Sequence, residues 1–190
     1  MPQFDLRGIT VAKYVNTNGV ITYTDRQTAG DAMTANLEMR FAEGRLYAES
    51  TLAEFMRKAT GGSISLGVKY LPDAVQKLIF GSREETRTVN TKAIKSLILG
   101  AKTNSAYVGV GFYAPDMIDG VEKFTCVKVC KSLFGPPSMT LQTAGENIQF
   151  NTPKTTGEFL ADDSTDQDML EVAICDTEAD AIAWVAAALT

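Results

Sequence analysis

The chain has 190 residues, of which 45% are hydrophobic and 22% are charged, and these proportions are typical of one folded domain. The net charge of −5 argues against broad attraction to nucleic acid or an anionic membrane, and no apolar run approaches the roughly 20 residues needed to span a bilayer. The sequence contains no histidine, which excludes the commonest general base, the commonest metal ligand and every Ser–His or Cys–His nucleophile.

Acidic residues are concentrated towards the end of the sequence. Residues 151–190 hold nine acidic side chains and one lysine, a net charge of −8, whereas the other 150 residues hold 14 acidic and 17 basic side chains, a net charge of +3. We interpret the acidic segment as a solvated loop and helix. The alternative is that it attracts the mildly basic remainder of a neighbouring subunit.

The first predicted elements are a strand and a polar segment that follows it. Residues 4–15 are rich in β-branched and aromatic side chains and predict a strand. Residues 16–32 are rich in Asn, Thr, Gly and Asp, and predict a long loop or hairpin arm. The β-prone centre of this arm contains Val20, Ile21 and Tyr23, a composition that suits pairing with the sheet edge of a neighbouring chain.

The clearest pattern in the sequence is the strict alternation of polar and apolar residues over 33–41. A period of two predicts a strand with one dry face and one wet face, as in an antiparallel sheet that meets water on one side. The polar positions are Thr34, Asn36, Glu38 and Arg40, and the apolar positions are Ala35, Leu37, Met39 and Phe41.

Three further strands are predicted next. Glu43-Gly44 predicts a turn, and strands follow at 45–50 and 52–59. Gly61-Gly62 predicts a tight hairpin turn into a fourth strand at 63–70. The apolar face of this fourth strand is expected to carry Ile64, Leu66, Val68 and Tyr70, and the other face Ser63, Ser65, Gly67 and Lys69.

The remaining elements complete a single, mainly β domain over residues 1–190. Pro72-Asp73 predicts the start of a short helix that ends at Gly81. Residues 82–104 predict a largely polar connection, and residues 177–190 predict a C-terminal helix over 178–189 with a capping-box-like start. The other predicted strands lie at 106–113, 124–134, 145–152 and 155–160.

No motif in the sequence predicts catalysis, a cofactor or a metal. Residues 109–114 match a loose dinucleotide pattern, but Pro115 and turn residues follow instead of a helix. Asp162, Ser164 and Asp166 begin a calcium-loop template that lacks its glycine and its final glutamate. Cys126, Cys130 and Cys175 lack zinc-ligand spacing and are expected to be reduced, with Cys126 and Cys130 too far apart along one strand to pair. We therefore expect a protein that is not an enzyme.

Four segments carry a resemblance to a known family. GRLYAEST at 44–51 precedes GGSISLGVKYLPDAVQKLIFG at 61–81, and AYVGVGFY follows at 106–113. FTCVKVCKSLFGPPSMTLQTAGENIQFNTPKTTGEFLADD at 124–163 comes last. The recurring features are LYA before a Gly-rich strand, an LPDxxxKxxxG helix and a late GExIxFxTP strand. In this order and spacing, residues 4–165 resemble the major tail protein of long, non-contractile bacteriophage tails.

The resemblance implies a fold and a mode of assembly. The fold is a β-sandwich or partial barrel with a flanking helix, to which the sequence adds a C-terminal helix. Subunits form hexameric rings that stack into a tube, and inner hairpins of each subunit form a shared barrel around a lumen that conducts DNA. A two-faced sheet suits such a channel wall, because closing a sheet around a ring removes its open edges.

The same interpretation assigns roles to particular side chains. Leu37, Met39, Ile64, Leu66 and Val68 are expected to face the protein core. The charges over 33–70 are four acidic and five basic, and this near balance permits DNA to pass without being held. The lumen-facing candidates are Thr34, Asn36, Glu38, Arg40, Ser63, Ser65 and Lys69, and the candidates for an inter-ring arm are Val20, Ile21 and Tyr23.

The implied partners are further copies of the chain and other tail proteins, namely the tape measure, tail terminator and distal tail proteins. DNA is expected to pass through the lumen without specific binding, and no membrane partner is expected. The implied location is the virion tail, after synthesis and assembly in the host cytoplasm. The alternative is a monomeric β-sandwich binding module that uses loops 16–32 or 82–104 to hold a ligand or partner.

Overall fold

A computed structural model describes residues 5–48, 51–138 and 152–190, and these residues fold mainly as β-structure with two helices. The helices are α1 (Asp73–Phe80) and α2 (Glu178–Ala188). The strands are β1 (Arg7–Thr17), β2 (Val20–Thr28), β3 (Ala32–Ala48), β4 (Thr51–Val68), β5 (Arg83–Val89), β6 (Lys92–Ile98), β7 (Val108–Ile118), β8 (Val121–Phe134), β9 (Lys154–Leu160) and β10 (Leu170–Cys175).

Most of the strands form one antiparallel sheet in the order β2-β1-β7-β8-β9-β4-β3, with β10 also paired to β8. Strand β8 is shared along its length, because residues 124–129 pair with β10 and residues 131–134 pair with β9. Strands β5 and β6 form a separate two-stranded ribbon. The large antiparallel sheet agrees with the mainly β fold class predicted from the sequence.

The sheet curves so that its strands enclose one core and carry a second on the opposite side. The first core joins buried residues of β1, β4, β7, β8 and β9 with Val75, Ile79 and Phe80 of α1. The second core lies under α2, where Ala181 and Val185 pack with residues of β1, β2, β7 and β8. Both faces of β7 and β8 are therefore covered over much of their length.

The glycines of the GxG pattern in β7 allow Tyr23 and Val185 to pack closely against the strand. A Cβ atom added to Gly109 would lie 2.5 Å from the ring of Tyr23, and one added to Gly111 would lie 2.9 Å from Val185. Because β7 continues through both glycines to Ile118, no helix follows the pattern. Residues 109–114 therefore lack the strand–turn–helix context that a dinucleotide site needs.

Two predicted turns are wrong. Gly44 lies inside β3, and Gly61 and Gly62 lie inside β4, where they pair with Arg40 and Met39. The chain thus runs as one long hairpin whose strands have 17 and 18 residues. Gly61 has a φ of +125° beside a register shift, and a Cβ atom on Gly62 would lie 2.2 Å from the Glu38 carbonyl oxygen. These glycines permit a bulge and close packing rather than a chain reversal.

The structure confirms the hairpin alternative for residues 16–32, whereas the predicted connection at 82–104 is wrong because it contains two paired strands. Residues 16–32 mostly form β2, which pairs with β1 through a two-residue turn at Asn18-Gly19. Residues 82–104 contain the β5–β6 ribbon, with a two-residue turn at 90–91. Most of the predicted strand at 145–152 lies outside the described residues. The predicted helices and the strand near 155–160 are present, whereas β10 was not predicted.

Candidate assembly surface

The polar positions predicted within β3 and β4 lie together on one face of the sheet, while Lys69 lies just past the end of β4. Asn36 is opposite Ser65 and Glu38 is opposite Ser63. The next strand, β9, continues these rows with Thr156 beside Ser65 and Glu158 beside Ser63. Thr34, Asn36, Glu38, Arg40 and Lys69 are exposed, while Ser63 and Ser65 are half-buried. We call this surface of β3, β4 and β9 the polar face.

Charges on the polar face are balanced and well solvated. Arg40 donates to the Glu158 carboxylate at 2.7 Å across β4, and Asn36 donates to Glu38 at 3.3 Å. More than half of each side chain in the Arg40–Glu158 pair is exposed, so this pair adds little stability. With Lys154 included, the strand residues of the face carry two cations and two carboxylates. The surface is close to neutral.

The opposite side of the hairpin faces the first core only in part. Ile64, Leu66 and Val68 are buried there, and Leu37 is half-buried against them. Met39 was expected in the core but is 39% exposed, because it lies where the hairpin begins to leave the sheet. Tyr70 lies past the end of β4 and is also exposed. The inward and outward alternation therefore holds best nearest β9.

The Ser65 hydroxyl oxygen is an exception on the polar face, because it is not solvated. This oxygen is buried and has no hydrogen-bond partner in the described structure. Ser65 lies in the central strand of the three, between Asn36 on β3 and Thr156 on β9.

The distal half of the hairpin extends beyond the sheet. Among the described residues, β9 pairs with β4 only over 62–67, and residues 41–48 and 51–59, which we call the overhang, pair only with each other. Large apolar side chains are exposed on both of its faces, with Met56 reaching 73% exposure. The others are Phe41, Leu46, Tyr47 and Phe55. A two-stranded ribbon with so much exposed apolar surface is an expected contact site for another chain.

On one face of the overhang, aromatic and charged side chains of the two strands contact each other. The Arg57 guanidinium lies 3.9 Å from the centre of the Phe41 ring, and that of Arg45 lies 5.6 Å from the Phe55 ring. Glu43 lies between the two arginines, with a nitrogen–oxygen distance of 3.4 Å to each. Cross-strand contacts of this kind stabilise a ribbon that has no sheet beneath it.

The two ends of the sheet path are strands with an open edge. In the described residues, β2 and β3 each pair with one neighbour only. Strand β3 therefore presents unpaired backbone N–H and C=O groups along a long edge, and such an edge is a template for a strand of another chain.

The arm candidates belong to strand β2, which agrees with the hairpin alternative predicted for residues 16–32 and not with the long loop. The Tyr23 side chain is buried in the second core, and its hydroxyl donates to the Cys130 carbonyl at 2.9 Å. Burial raises the pKa of Tyr23. Ile21 is half-buried, while Val20 at the hairpin tip is 63% exposed. Of the three, Val20 is the most available to a neighbour, and a role for it between rings stays a prediction.

The cysteines contribute to packing, with Cys126 and Cys130 buried and Cys175 partly buried. All three are free thiols, and Cys126 Sγ lies 3.7 Å from Cys175 Sγ across β8 and β10. Burial raises the pKa of Cys126 to about 12 and that of Cys130 to about 11. Neither is a nucleophile near neutral pH, because the thiolate is the reactive form.

The acidic loop before β10 uses its first carboxylate to hold its own backbone. Asp162 Oδ1 accepts hydrogen bonds from the backbone N–H groups of Ser164 and Asp168, each at 3.0 Å, and from the Ser164 hydroxyl at 2.5 Å. Among residues 5–48, 51–138 and 152–190, no three cysteine or carboxylate side chains converge on a possible metal position.

The described helices include none that is long and apolar enough to cross a bilayer. A scan against protein-family models and a search of curated proteins found no match to this chain. The functional argument therefore depends on three features of the structure, which are the polar face, the overhang and the open sheet edges. Sequence reasoning did not find the overhang, because Gly44 and Gly61-Gly62 were interpreted as turns and the strict alternation ends at Phe41.

Proposed function

We propose that this chain is the tube subunit of a long, non-contractile bacteriophage tail, in which hexameric rings stack and conduct DNA to the host cell. The observation that carries the proposal is the long β3–β4 hairpin. It joins a solvated polar face to an overhang with exposed apolar side chains, and its outer edge is unpaired in the described residues. A subunit of this kind is incomplete until another chain covers the overhang and the edge.

The polar face is proposed to line the lumen. Most of its residues from β3 and β9 are exposed, and the face is nearly neutral, which suits contact with a polyanion in transit. A strongly basic wall would hold the phosphates and release counterions, so binding would oppose passage. In this arrangement Thr34, Asn36, Glu38, Arg40, Ser63, Ser65 and Lys69 lie towards the channel.

The open edges are proposed to close the ring. Because β2 and β3 are different strands at opposite ends of the sheet, pairing through them would be head-to-tail between copies. Head-to-tail contacts generate rings when the rotation between copies closes, and a closed ring removes the exposed edges. The shared inner barrel of the resembling family is one such closure.

A monomeric binding module is less well supported. The two segments expected to act as ligand loops, 16–32 and 82–104, mostly form β-hairpins. A monomer would also leave the apolar side chains of the overhang in water. The tube proposal extends to further partners, namely the tape measure, tail terminator and distal tail proteins, and to a location in the virion tail.

The position of the polar face is tested by labelling Asn36→Cys in a Cys175→Ser background. The free subunit should react with both a small maleimide and a maleimide on a large carrier, because position 36 is exposed. Assembled tubes should react with the small reagent and exclude the large one. Equal access of the large reagent to free and assembled protein would contradict a lumen-facing position.

A further inference from the structure

Among residues 5–48, 51–138 and 152–190, the β5–β6 ribbon is a second element that pairs with no larger sheet. It forms a two-stranded sheet of its own, and such a ribbon is only marginally stable in water. Glu84 anchors its base by pairing with Lys77 of α1 and with Lys95, whose Nζ lies 2.9 Å from the carboxylate. This anchoring holds the pKa of Glu84 down to about 2. The far end of the ribbon has no comparable support.

One side of the ribbon's far end, which we call the ribbon face, is both apolar and basic. The register places Arg87 opposite Ile94 and Val89 opposite Lys92, so these four side chains share that side. Val89 and Ile94 are half-exposed. Over 83–98 there are four basic and two acidic residues. Glu84 pairs with Lys77 and Lys95. Glu85 is shared between two arginines, with nitrogen–oxygen distances of 3.6 Å to Arg83 and 3.9 Å to Arg87. The ribbon face therefore presents an excess of positive charge around an apolar centre.

Strand β10 carries the opposite arrangement on another part of the molecule. Val172 and Ile174 point away from the core under α2 and are 56% and 59% exposed. Exposed carboxylates lie in the chain on both sides of this pair, with Asp166 and Asp168 before it and Asp176 after it. Because Asp176 pairs with Lys123 at 2.9 Å, the acidic flank most available to a partner is formed by Asp166 and Asp168. We call this apolar pair with its acidic flanks the β10 margin.

The β10 margin adjoins an opening in the first core. Val172 and Ile174 lie opposite Val127 and Thr125 of β8, and these two residues line a cleft of about 360 Å³. The exposed residue Met33 and the buried residue Phe112 also line this cleft. The side chains of an apolar ribbon fit such an open margin.

We propose that the ribbon face of one copy docks on the β10 margin of a second copy. The inference rests on the proposed tube function, because it names a contact between its subunits. The two surfaces complement each other in charge, and each has an exposed apolar centre. They are different surfaces of one chain, so the contact is head-to-tail and can repeat around a ring or along a tube.

Crosslinking between two differently marked copies tests the contact directly. In a Cys175→Ser background, chains with Ile94→Cys are mixed with chains with Ile174→Cys and treated with a short bis-maleimide. We expect a crosslinked dimer on a denaturing gel. Thr88→Cys is the matched control, because it lies on the opposite side of the same ribbon, and it should crosslink weakly. Equal crosslinking from Thr88→Cys and Ile94→Cys would overturn the inference.

Charge reversal tests the complementarity. Arg87→Glu with Lys92→Glu should raise the concentration needed for assembly roughly tenfold, since charges at an interface rim contribute modestly. Asp166→Lys with Asp168→Lys in the partner copy should restore assembly. Lys13→Glu with Lys102→Glu changes the net charge equally away from the ribbon face and should have little effect. Failure of the reversed partner to restore assembly would overturn the proposed pairing.

The outcomes separate this inference from the proposed function. Normal tubes from the Arg87→Glu, Lys92→Glu variant, without the Ile94–Ile174 crosslink, would overturn the docking and leave the tube function standing. The specific crosslink in a small oligomer that never forms tubes would support the docking and contradict the tube function. A chain that stays monomeric and gives no crosslink would overturn both.

Discussion

At the scale of single residues, alternation along the long hairpin separates side chains that hold the fold from those available to partners. Ile64 is fully buried in the first core, while Asn36 on the neighbouring strand is exposed on the polar face. We expect Ile64→Asp to destabilise the subunit by more than about 3 kcal/mol, because an unpaired charge would be buried. The control change Asn36→Ser on the polar face should lower the free energy of unfolding by less than about 0.5 kcal/mol. Urea denaturation of the two variants measures both effects, and equal losses would contradict the assigned faces.

Cysteine reactivity gives a second test at this scale. In the folded protein near neutral pH, Cys175 should be alkylated first, because it is partly exposed while Cys126 and Cys130 are buried. Cys126 and Cys130 should react only at strongly alkaline pH or after unfolding, because burial raises the pKa of both thiols. Mass spectrometry should find three alkylated cysteines after unfolding without reductant. A Cys126–Cys130 disulfide would contradict the strand at 121–134.

The same two thiols link stability to pH. Their pKa values are raised in the folded chain, so the neutral thiol is favoured by folding. Their contribution to stability should be complete below about pH 8.5, where an unfolded thiol is also neutral. It should be lost as the pH rises from there towards 11 and 12. Replacing Cys130 with Ala should flatten the fall in melting temperature over this range.

At the scale of elements, β2 and the β5–β6 ribbon should respond differently to removal. Replacing 20–28 with a Gly-Ser linker removes Tyr23 from the second core and should abolish the cooperative melt. Replacing 83–98 should change the melting temperature by less than about 3 °C, because the ribbon forms a sheet of its own. Circular dichroism separates the two outcomes. A folded variant without β2 would show that this strand is an appendage, as the sequence first suggested.

The elements that the sequence predicts well are those whose pattern does not depend on distant contacts. The period of two over 33–41, the alternation at 63–68 and the capped helix α2 all follow from local side chains. The β1–β2 hairpin also had a local signal, because Asn18-Gly19 is a favoured two-residue turn and both residues have positive φ. Tyr23, in contrast, is buried by α2 and β7, which lie far away in sequence.

The sequence could predict which side chains of β3 point to the polar face, but it could not predict how far the β3–β4 hairpin extends beyond the sheet. Local alternation indicated which residues of β3 point to the polar face. The overhang depends on where β9 stops pairing, and that is set by a strand about 100 residues away. Gly61 and Gly62 act through a bulge and through packing against Phe159, so their turn-like composition was misleading. The sequence also could not predict that Val172 and Ile174 of β10 are exposed, because that depends on which side of the strand packs under α2.

At the scale of the whole molecule, the proposed tube requires that one chain complete another. Both elements that lack a sheet beneath them, the overhang and the β5–β6 ribbon, expose apolar side chains in the single subunit. Charged residues also contribute, because the acidic segment 152–190 and the basic ribbon belong to different surfaces. Assembly through such contacts should weaken as salt is raised, while burial of the overhang should be less sensitive.

The most direct measurement is electron microscopy of the purified protein over a range of concentrations, with light scattering of the same samples. The account predicts sixfold rings with an open centre that stack into long tubes. Tubes formed by the wild-type chain should be lost when the exposed Met56 and Leu46 of the overhang are changed to Asp, while the variant subunit stays folded. A wild-type chain that remains at its monomer mass of 20.5 kDa at every concentration, with no rings in the images, would contradict the account.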